Sequence, residues 1–568
     1  MMSLAALAVA GTLALAGCSA DPDERQSRPG STAGPSAGVV LDGEGELFEV
    51  NATAREDMEP GGVLRRAVGE LPDQWNPLHT AGSHPSFNEV RGPLSVTNWD
   101  FDGEGVPSPN ENYLAGVEEE VTDGRQVVTL HLNPEAVWNG GEPITWEDYA
   151  ATVAACSGSA EFQCANPAAF SQVESVAQGE TEFDVVVTFA AVFPDWEAML
   201  STVLPAEGVQ DAETFNAGWA EYPAEWFTGP FAVEEIDEAQ QAITLVPNEN
   251  WWGPEPMLDA IEMRALRAEA TATAFQNGEL DVFEVGADPN AYQLARAVPG
   301  AEVRQAAGTD WRHLTFNTTA GALAEPEVRR AIVRAVDREA IAASSLAGLP
   351  EELHMVLDNH VFMRGQEGYE DNAGDYAYDP ARAAADLDAA GWELDEATGI
   401  RERDGEPLTV RFTVFSGVPV SENEALLVQA QLREVGVDVE LDHVAEAAFT
   451  ETLGAGAFEM IAFSWYGSPF PLQGLAAVYG DPEMAPLNYA RLDNPELNAL
   501  IEQIATEPDQ EERLRLADRA DELIWASAHT LPLYQRPQLV ATTAELANFG
   551  ATGLSSTRPE NWGFAAAG

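Results

Sequence analysis

The sequence predicts an α/β fold in mixed layers, with strands that pair mostly in parallel. Short β-branched or aliphatic runs alternate along the chain with helix-like segments, which is the pattern of sheets packed against helices. Hydrophobic residues make up 45% of the 568 residues, which supports a large buried core and about two to four domains. No internal repeat of 20–50 residues is found, which excludes solenoids and propellers.

In the first half of the chain, the pattern predicts strands and two clear helices. The strands are expected over 63–68, 127–132, 184–189 and 243–246. A helix is expected over 146–155, with Thr145 as its N-cap. A second helix, over 270–275, should end at the Asn277-Gly278 pair, which is a common helix stop.

In the second half, an amphipathic pattern predicts one long helix over 327–344. Its apolar positions share one side, and four arginines are expected mostly on the other, namely Arg329, Arg330, Arg334 and Arg338. The elements expected after it are a helix from Pro380 to Gly391, a strand over 408–415, a helix over 423–435 with Gly436 as C-cap, and a strand over 437–441.

The charge and the residue types exclude several classes of function. With 28 basic and 95 acidic side chains, the formal net charge is −67, so nucleic acid is not an expected partner. Every basic residue is arginine, and a chain without lysine cannot contain a Walker A loop or a Schiff-base lysine. The sequence has no Cys-x-x-Cys or His-Glu-x-x-His motif, and its one Gly-x-Ser-x-Gly match, at 34–38, lies in the Ser-, Pro- and Gly-rich stretch rather than between a strand and a helix, so we expect no metal, no cofactor and no enzyme activity.

The N-terminus predicts export. Residues 2–17 are an apolar, small-residue run, too short for a permanent membrane span, and we interpret 1–17 as a signal peptide. Leu15-Ala16-Gly17-Cys18 resembles a bacterial lipobox, which implies a lipid anchor on Cys18 at the outer face of the cell membrane. An ordinary cleaved signal is the alternative, and the absence of a basic residue before the run departs from both. Residues 18–59, rich in Ser, Pro, Gly, Asp and Glu, are expected to be a flexible acidic tether.

The remaining cysteines, Cys156 and Cys164, form an even pair if Cys18 is acylated. An oxidising exterior favours a disulfide between them, and the short polar segment that separates them is easily closed. Two buried free thiols are the alternative.

Five blocks of sequence, in the same order, resemble the family 5 extracellular solute-binding proteins, which are the peptide- and nickel-binding lipoproteins of ABC importers. The first block contains Ala-Val-Trp-Asn-Gly-Gly-Glu-Pro-Ile-Thr-Trp-Glu-Asp. The blocks lie at 128–148, 228–253, 276–281, 316–338 and 431–439. Residues 173–205 resemble the actinobacterial LpqW-like branch of the family, some members of which are linked to envelope glycolipid assembly.

This resemblance implies a two-lobed periplasmic-binding-protein-like fold of type II, in the large cluster with an extra subdomain in the N-terminal lobe. The expected units are lobe 1 over 60–311, with its core at 60–98 and 227–311 and an inserted subdomain at 99–226, lobe 2 over 312–529, and a return to lobe 1 over 530–568. The strands expected to connect the lobes lie at 311–317 and 531–534, and solute is expected to bind between the lobes as they close.

The resemblance also selects candidate ligand contacts. Trp311 and Arg312 lie on the first connecting strand, where Arg312 would hold a solute carboxylate unless it is a surface arginine in a salt bridge. Trp465 and Tyr466 lie on the matching tryptophan-bearing strand end, where Trp465 would stack on ligand unless it packs in a core. The peptide-binding members have an aspartate for the peptide amino group, and its expected place here falls near Ser468, with no carboxylate until Asp481. Either Glu70 or Asp73 replaces it, or the solute is not an ordinary free peptide.

The sequence therefore predicts a lipid-anchored, monomeric binding protein that delivers an oligopeptide or a similar small solute to ABC permease subunits. The alternative is an LpqW-like lipoprotein of the same fold that regulates cell-envelope glycolipid synthesis without transport.

Overall fold

The computed structural model describes residues 40–41, 45–46, 48–159 and 161–566. The predicted signal peptide, Cys18 and the tether up to residue 39 lie outside the described residues. The last part of the predicted tether does not behave as a tether. Phe48, Val50 and Met58 are buried, and Met58–Glu59 pairs with a strand near the C-terminus, Gly563–Ala565. These scattered apolar residues find partners that lie about 500 positions away, which a local composition cannot reveal.

Eleven strands form the central sheet. In order across the sheet, ten of them are Phe231–Asp237, Ala242–Pro247, Ala260–Ala265, Val63–Val68, Val282–Glu284, Thr530–Thr543, Ala301–Phe316, Met460–Tyr466, Thr409–Ser416 and Asp438–Ala445, and the short strand Met355–Val356 pairs with Thr530–Thr543. We call Ala301–Phe316 the outgoing long strand, Thr530–Thr543 the return long strand, and Met460–Tyr466 the tryptophan strand.

The pairing in this sheet corrects the prediction of mostly parallel strands. Parallel pairs join Val63–Val68 to its two neighbours and Thr409–Ser416 to its two neighbours, and every other pair is antiparallel. A short turn joins Phe231–Asp237 to Ala242–Pro247, and a turn of this length permits only antiparallel pairing. The two long strands are antiparallel because the chain passes along the sheet once in each direction.

Smaller sheets surround the central one. An antiparallel four-stranded sheet contains Leu114–Thr122, Arg125–Leu132, Asp184–Phe189 and Val173–Gln178 in that order. The others are Leu546–Ala547 with Gly563–Ala565 and Met58–Glu59, Glu393–Asp395 with Ile400–Arg403 and Glu406–Pro407, Trp99–Phe101 with Pro107–Pro109, and Val40–Leu41 with Gly45–Glu46.

The helices mostly start at a proline or a polar cap. Their bounds are Pro85–Arg91, Trp146–Cys156, Pro167–Phe170, Trp196–Met199, Ala212–Ala217, Ala268–Gln276, Pro289–Arg296, Pro326–Ala335, Arg338–Ser345, Pro380–Ala389, Pro419–Glu434, Phe449–Ala455, Leu475–Tyr479, Pro495–Ile504 and Gln510–Ser527. Thr145 caps Trp146–Cys156 as predicted, and Asp148 completes a capping box. No helix in the described part of the chain is long and apolar enough to cross a membrane.

The predicted long helix over 327–344 is two helices. The first ends at Ala335, Val336 is extended, and the Asp337 side chain accepts a hydrogen bond from the Ala340 amide to start the second. A short acidic side chain competes for backbone donors and favours this N-cap position over the middle of a helix. The periodic pattern continues across the break, so periodicity alone missed it.

Most of the arginines that were predicted to lie on the exposed side of these helices are buried. Arg329 donates to the carbonyls of Leu323 and Ser527, and Arg338 donates to those of Leu357 and Pro532. Nine arginines in the described part of the chain are buried, namely Arg66, Arg91, Arg304, Arg312, Arg329, Arg334, Arg338, Arg401 and Arg513. A guanidinium has five donors in a fixed fork, so it can satisfy several carbonyls inside the protein while its alkyl stem packs.

The three largest hydrophobic cores position most of the elements. The N-terminal core contains Leu64, Trp99, Val128, Phe189 and Trp196 among others. The central core contains Leu314, Val328, Phe412, Leu432 and Leu531. The C-terminal core contains Phe362, Leu475, Leu497, Leu516 and Ile524.

Cys156 and Cys164 are joined in a disulfide, in agreement with the pairing that the sequence favours. The bond ties the end of helix Trp146–Cys156 to the segment that follows it. Cys164 also forms a backbone bridge with His79, so this cross-link lies against the loop after the first strand of the central sheet.

Candidate ligand-binding site

The two long strands pair with each other in the middle of the central sheet, and they contain the segments that the sequence predicts to connect the lobes. Leu314 lies opposite Leu531, and Arg312 lies opposite Tyr534. The register shifts twice along this pair, between Ala307 and Trp311 and again between Arg312 and His313. Such irregularities bend a strand and turn its side chains in new directions, which suits a segment between two bodies. The predicted connecting strands are therefore direct neighbours, while the domain boundaries themselves stay a prediction.

Trp311 and Trp465 are neighbours across the sheet. The tryptophan strand pairs with the outgoing long strand so that Trp311 lies directly opposite Trp465. Residues opposite each other in an antiparallel pair project from the same face, so both indoles lie on one side of the sheet. Trp311 is buried against Leu357 and Met363, and Trp465 lies half-buried against the same cluster. The structure thus brings together two candidates that are far apart in the sequence.

Arg312 lies on the opposite face of the sheet from the two tryptophans, because side chains alternate along a strand. Its Nε donates to Glu424 Oε1 at 3.1 Å, and its Nη2 donates to the other carboxylate oxygen. The Glu424 side chain is fully buried, and the Tyr534 hydroxyl donates to it at 2.8 Å. Burial by itself would lower the pKa of Arg312, but the charge and hydrogen bonds of Glu424 raise it above its ordinary value.

This geometry corrects the role expected for Arg312. The guanidinium is engaged in a buried, two-point ion pair within the protein, rather than being free to hold a solute carboxylate. The alternative that the sequence left open, a surface arginine in a salt bridge, is right about the salt bridge and wrong about the surface, because Arg312 and Glu424 are both buried.

The other candidates are dispersed. Tyr466 lies opposite Asp310 at the end of the tryptophan strand and is 75% exposed, so it is not part of the aromatic cluster. Ser468 is exposed, its hydroxyl accepts from the Phe470 amide, and its carbonyl accepts from the Gln366 side chain. Neither group is a carboxylate, so the strand end contributes no negative charge of its own at this point.

The two proposed substitutes for the missing aspartate lie in the loop after the first strand of the central sheet. Glu70 is exposed and sits 3.2 Å from the Nδ1 atom of His84, and Asp73 is exposed. The structure shows no contact between either carboxylate and the tryptophan pair among the described residues. Their role as replacements stays a prediction.

Two aromatic residues of this face were missed from the sequence. The His313 ring is fully buried, 5.8 Å from Trp465 and parallel to it, and Tyr489 lies parallel to Trp465 on another side at 6.0 Å. His313 could have been found, because it is two positions after Trp311 on a predicted strand and so shares its face. Tyr489 comes from a loop, and no local pattern places it there.

His313 is neutral in this setting. Burial, then the charges of Arg312 and His360, hold the pKa of its imidazole well below the usual range. Neither ring nitrogen has a hydrogen-bond partner among the described residues. The face that carries the two tryptophans is therefore uncharged and aromatic, which suits stacking and apolar contact rather than recognition of charge.

Comparison with known proteins identifies the family. The family model of the bacterial extracellular solute-binding proteins, family 5, middle region, matches residues 106–484. The oligopeptide-binding protein OppA of Mycobacterium bovis is 35% identical over 549 residues, which is 96% of this chain and 90% of OppA. The probable monoacyl phosphatidylinositol tetramannoside-binding protein LpqW of Mycobacterium tuberculosis is 25% identical, over 77% of this chain and 70% of LpqW.

Among solved structures, the periplasmic EDTA-binding protein EppA superposes with a TM-score of 0.82 at 25% identity, covering 91% of this chain and 98% of EppA. This likeness agrees with the two-lobed periplasmic-binding-protein-like fold that the sequence predicts, and the relatives are binding proteins rather than enzymes. The chain belongs to the family 5 bacterial extracellular solute-binding proteins.

Proposed function

We propose that this chain is the solute-binding component of an ABC importer, lipid-anchored through Cys18, and that it binds oligopeptides or a peptide-like solute as a monomer. The observation that carries the proposal is its 35% identity to an oligopeptide-binding protein over 96% of its own length. A similarity of this extent covers both predicted lobes and every candidate contact.

Binding is proposed to occur between lobe 1, over 60–311 and 530–568, and lobe 2, over 312–529, which close on the solute. Trp311 and Trp465 support this location. They face the same side of the sheet where the two long strands and the tryptophan strand converge. Aromatic side chains of this kind bury a large area at a small entropic cost and accept different peptide side chains.

The chemistry of the site changes which part of a peptide we expect the protein to recognise. The resemblance to the peptide-binding members implies an aspartate near Ser468 that would hold the peptide amino group, and this chain has no carboxylate there. A buried ammonium group without a counter-charge is costly, so the protein should gain little from a free amino terminus. We therefore propose that contacts with the backbone and side chains of the peptide, rather than with its amino terminus, contribute most of the affinity.

The first experiment is native mass spectrometry of gently purified protein, followed by calorimetry with any peptide that is retained. Free and N-acetylated forms of that peptide should bind the wild type within about tenfold of each other, and Ser468→Asp should favour the free form. Ser171→Asp, at an exposed position of the inserted subdomain, controls for the added negative charge. If no peptide is retained and none from a mixed peptide pool binds, the peptide assignment is wrong.

The lipid anchor has its own test. Cys18→Ala should move the protein from the membrane fraction to the medium. Retention of the variant in the membrane fraction would contradict the anchor without affecting the peptide result.

The LpqW-like role is the second candidate, supported by the weaker similarity of 25% over 77% of this chain. Deletion of the gene separates the two. Loss of peptide uptake with normal envelope glycolipids supports import, and the reverse supports the regulatory role.

A further inference from the structure

Two of the hydrophobic cores meet at a buried ion pair. The Nη1 and Nη2 atoms of Arg513 donate to the two carboxylate oxygens of Asp195, at 2.7 and 2.5 Å. The two side chains are only 6% and 10% exposed. The residues lie 318 positions apart, so the pair joins distant parts of the chain.

Each partner is fixed within a different core. Asp195 directly precedes helix Trp196–Met199, and Trp196 packs edge-on against Trp99 in the N-terminal core. Arg513 lies on helix Gln510–Ser527, whose apolar side forms part of the C-terminal core. The Nε atom of Arg513 also donates to the carbonyl of Ile504 at 3.1 Å. Ile504 belongs to the C-terminal core, so this hydrogen bond fixes the guanidinium to that core.

A second contact also joins the predicted inserted subdomain of lobe 1 to predicted lobe 2. The rings of Phe101 and Phe470 meet edge to face with centroids 5.9 Å apart. Close by, the chain at Gly105 comes so near Pro469 that a Cβ on Gly105 would lie 3.2 Å from the Pro469 Cα atom. Gly105 also has a φ of +81°, so both its conformation and its contact favour glycine.

We propose that the Asp195–Arg513 pair is a latch between the two lobes, formed when they close and broken when they open. The inference rests on the two-lobe closure of the proposed function, since Asp195 belongs to the predicted inserted subdomain of lobe 1 and Arg513 to predicted lobe 2. A two-point arginine–carboxylate pair is strongly directional, and removing one partner leaves a buried, unpaired charge in the closed arrangement, where the two side chains are hidden from water. The latch therefore selects one closed arrangement and raises its population before solute arrives.

This population affects solute affinity directly. When only a fraction of the molecules is in the competent state, the apparent dissociation constant is the intrinsic one divided by that fraction. Breaking the latch should therefore weaken binding of any solute without touching the aromatic face. Asp195 and Arg513 are positioning residues in this sense.

The test uses the solute-free, full mature protein. Asp195→Asn and Arg513→Gln should each increase the radius of gyration in small-angle X-ray scattering. Each should also speed hydrogen exchange at least about tenfold at the amides of 101–106, next to the aromatic contact. The double variant should be no more open than either single variant, because the first change already removes the pair.

The matched control is Asp386→Asn, which breaks an ion pair with Arg334 at 2.7 Å between two neighbouring helices. It should lower stability without changing the radius of gyration or exchange at 101–106. The proposal would be overturned if both latch variants kept the wild-type radius of gyration and the wild-type exchange rates at 101–106. It would also be overturned if Asp386→Asn increased both quantities as much as the latch variants do. Failure of both single variants to fold would also overturn it, since a latch must be dispensable for folding.

Because no solute is present, these results are independent of what the protein binds. A protein that binds no peptide but opens in the latch variants would refute the peptide assignment and keep the latch. Peptide binding with unchanged opening would do the reverse.

Discussion

Replacing Glu424 with glutamine should destabilise the protein by about 3–5 kcal/mol, because the change leaves the Arg312 guanidinium charged and unpaired in a buried site. The side chains of Arg312 and Glu424 are 8% and 0% exposed, so water cannot replace the lost carboxylate. Glutamine retains an oxygen for the Tyr534 hydroxyl, which now donates to Glu424 at 2.8 Å. The expected loss thus comes from the charge and not from a second orphaned group.

The same site allows a double-mutant cycle. Arg312→Met leaves the Glu424 carboxylate buried without its cation and should cost a similar amount. The double variant Arg312→Met/Glu424→Gln removes both charges and should be less destabilised than either single variant, giving a coupling energy of about 2 kcal/mol or more.

Urea unfolding at constant temperature, followed by tryptophan fluorescence, is the appropriate assay. At an unfolding entropy of about 2.1 cal/mol/K per residue, a chain of this length changes its Tm by only about 1 °C per kcal/mol. Single variants that cost less than about 1 kcal/mol, or losses that simply add in the double variant, would refute the reasoning. A variant of Arg312 with normal stability and reduced solute affinity would restore its role as a ligand contact.

Further predictions concern the ligand, the pH, the salt and the disulfide. Trp465→Ala should weaken solute binding by about 1–3 kcal/mol, or roughly 5- to 150-fold, while Trp465→Phe keeps part of the contact; unchanged affinity in calorimetry would place the site elsewhere. Burial, aided by nearby Glu119 and Asp195, raises the pKa of Glu197 from 4.5 to about 7, so the folded protein binds a proton that the unfolded chain releases. Stability should therefore fall as the pH rises from about 4.5 to 7, by at most about 3 kcal/mol, and Glu197→Gln should remove that part of the slope in urea titrations. The Tm should rise from low salt to molar NaCl, since ions screen a net charge of −67, and a flat curve would show that the charges are already balanced. Thiol titration of denatured, unreduced mature protein should find Cys156 and Cys164 unreactive.

The local elements of the fold were largely predictable from the sequence. The strands Val63–Val68 and Asp184–Phe189 have the predicted bounds, and helix Trp146–Cys156 begins at its predicted cap. These elements are set by alternation, β-branched residues and capping groups, which act over a few positions. The broken helix at Asp337 was missed because its apolar period continues through the break.

The site was predictable only in part, because it depends on contacts between distant residues. The adjacency of Trp311 and Trp465 followed from the family resemblance, and no residue pattern alone connects them. The partner of Arg312 lies 112 positions away on a helix, so nothing near Arg312 in the sequence indicates Glu424. The prediction that Trp311 and Arg312 both contact the solute overlooked strand alternation, which turns neighbouring side chains to opposite faces of the sheet.

The buried arginines have a consequence for proteolysis. Trypsin cleaves after lysine and arginine, and this chain has no lysine, so every tryptic site is an arginine. Nine of these arginines are buried in the described part of the chain, where they donate hydrogen bonds to carbonyls or carboxylates. A protease reaches such a site only when the surrounding structure opens, and the rate of cutting then follows the population of the open form. Limited trypsin digestion of this protein should therefore measure opening of its interior, with cleavage after Arg513 reporting on the boundary between the N-terminal and C-terminal cores.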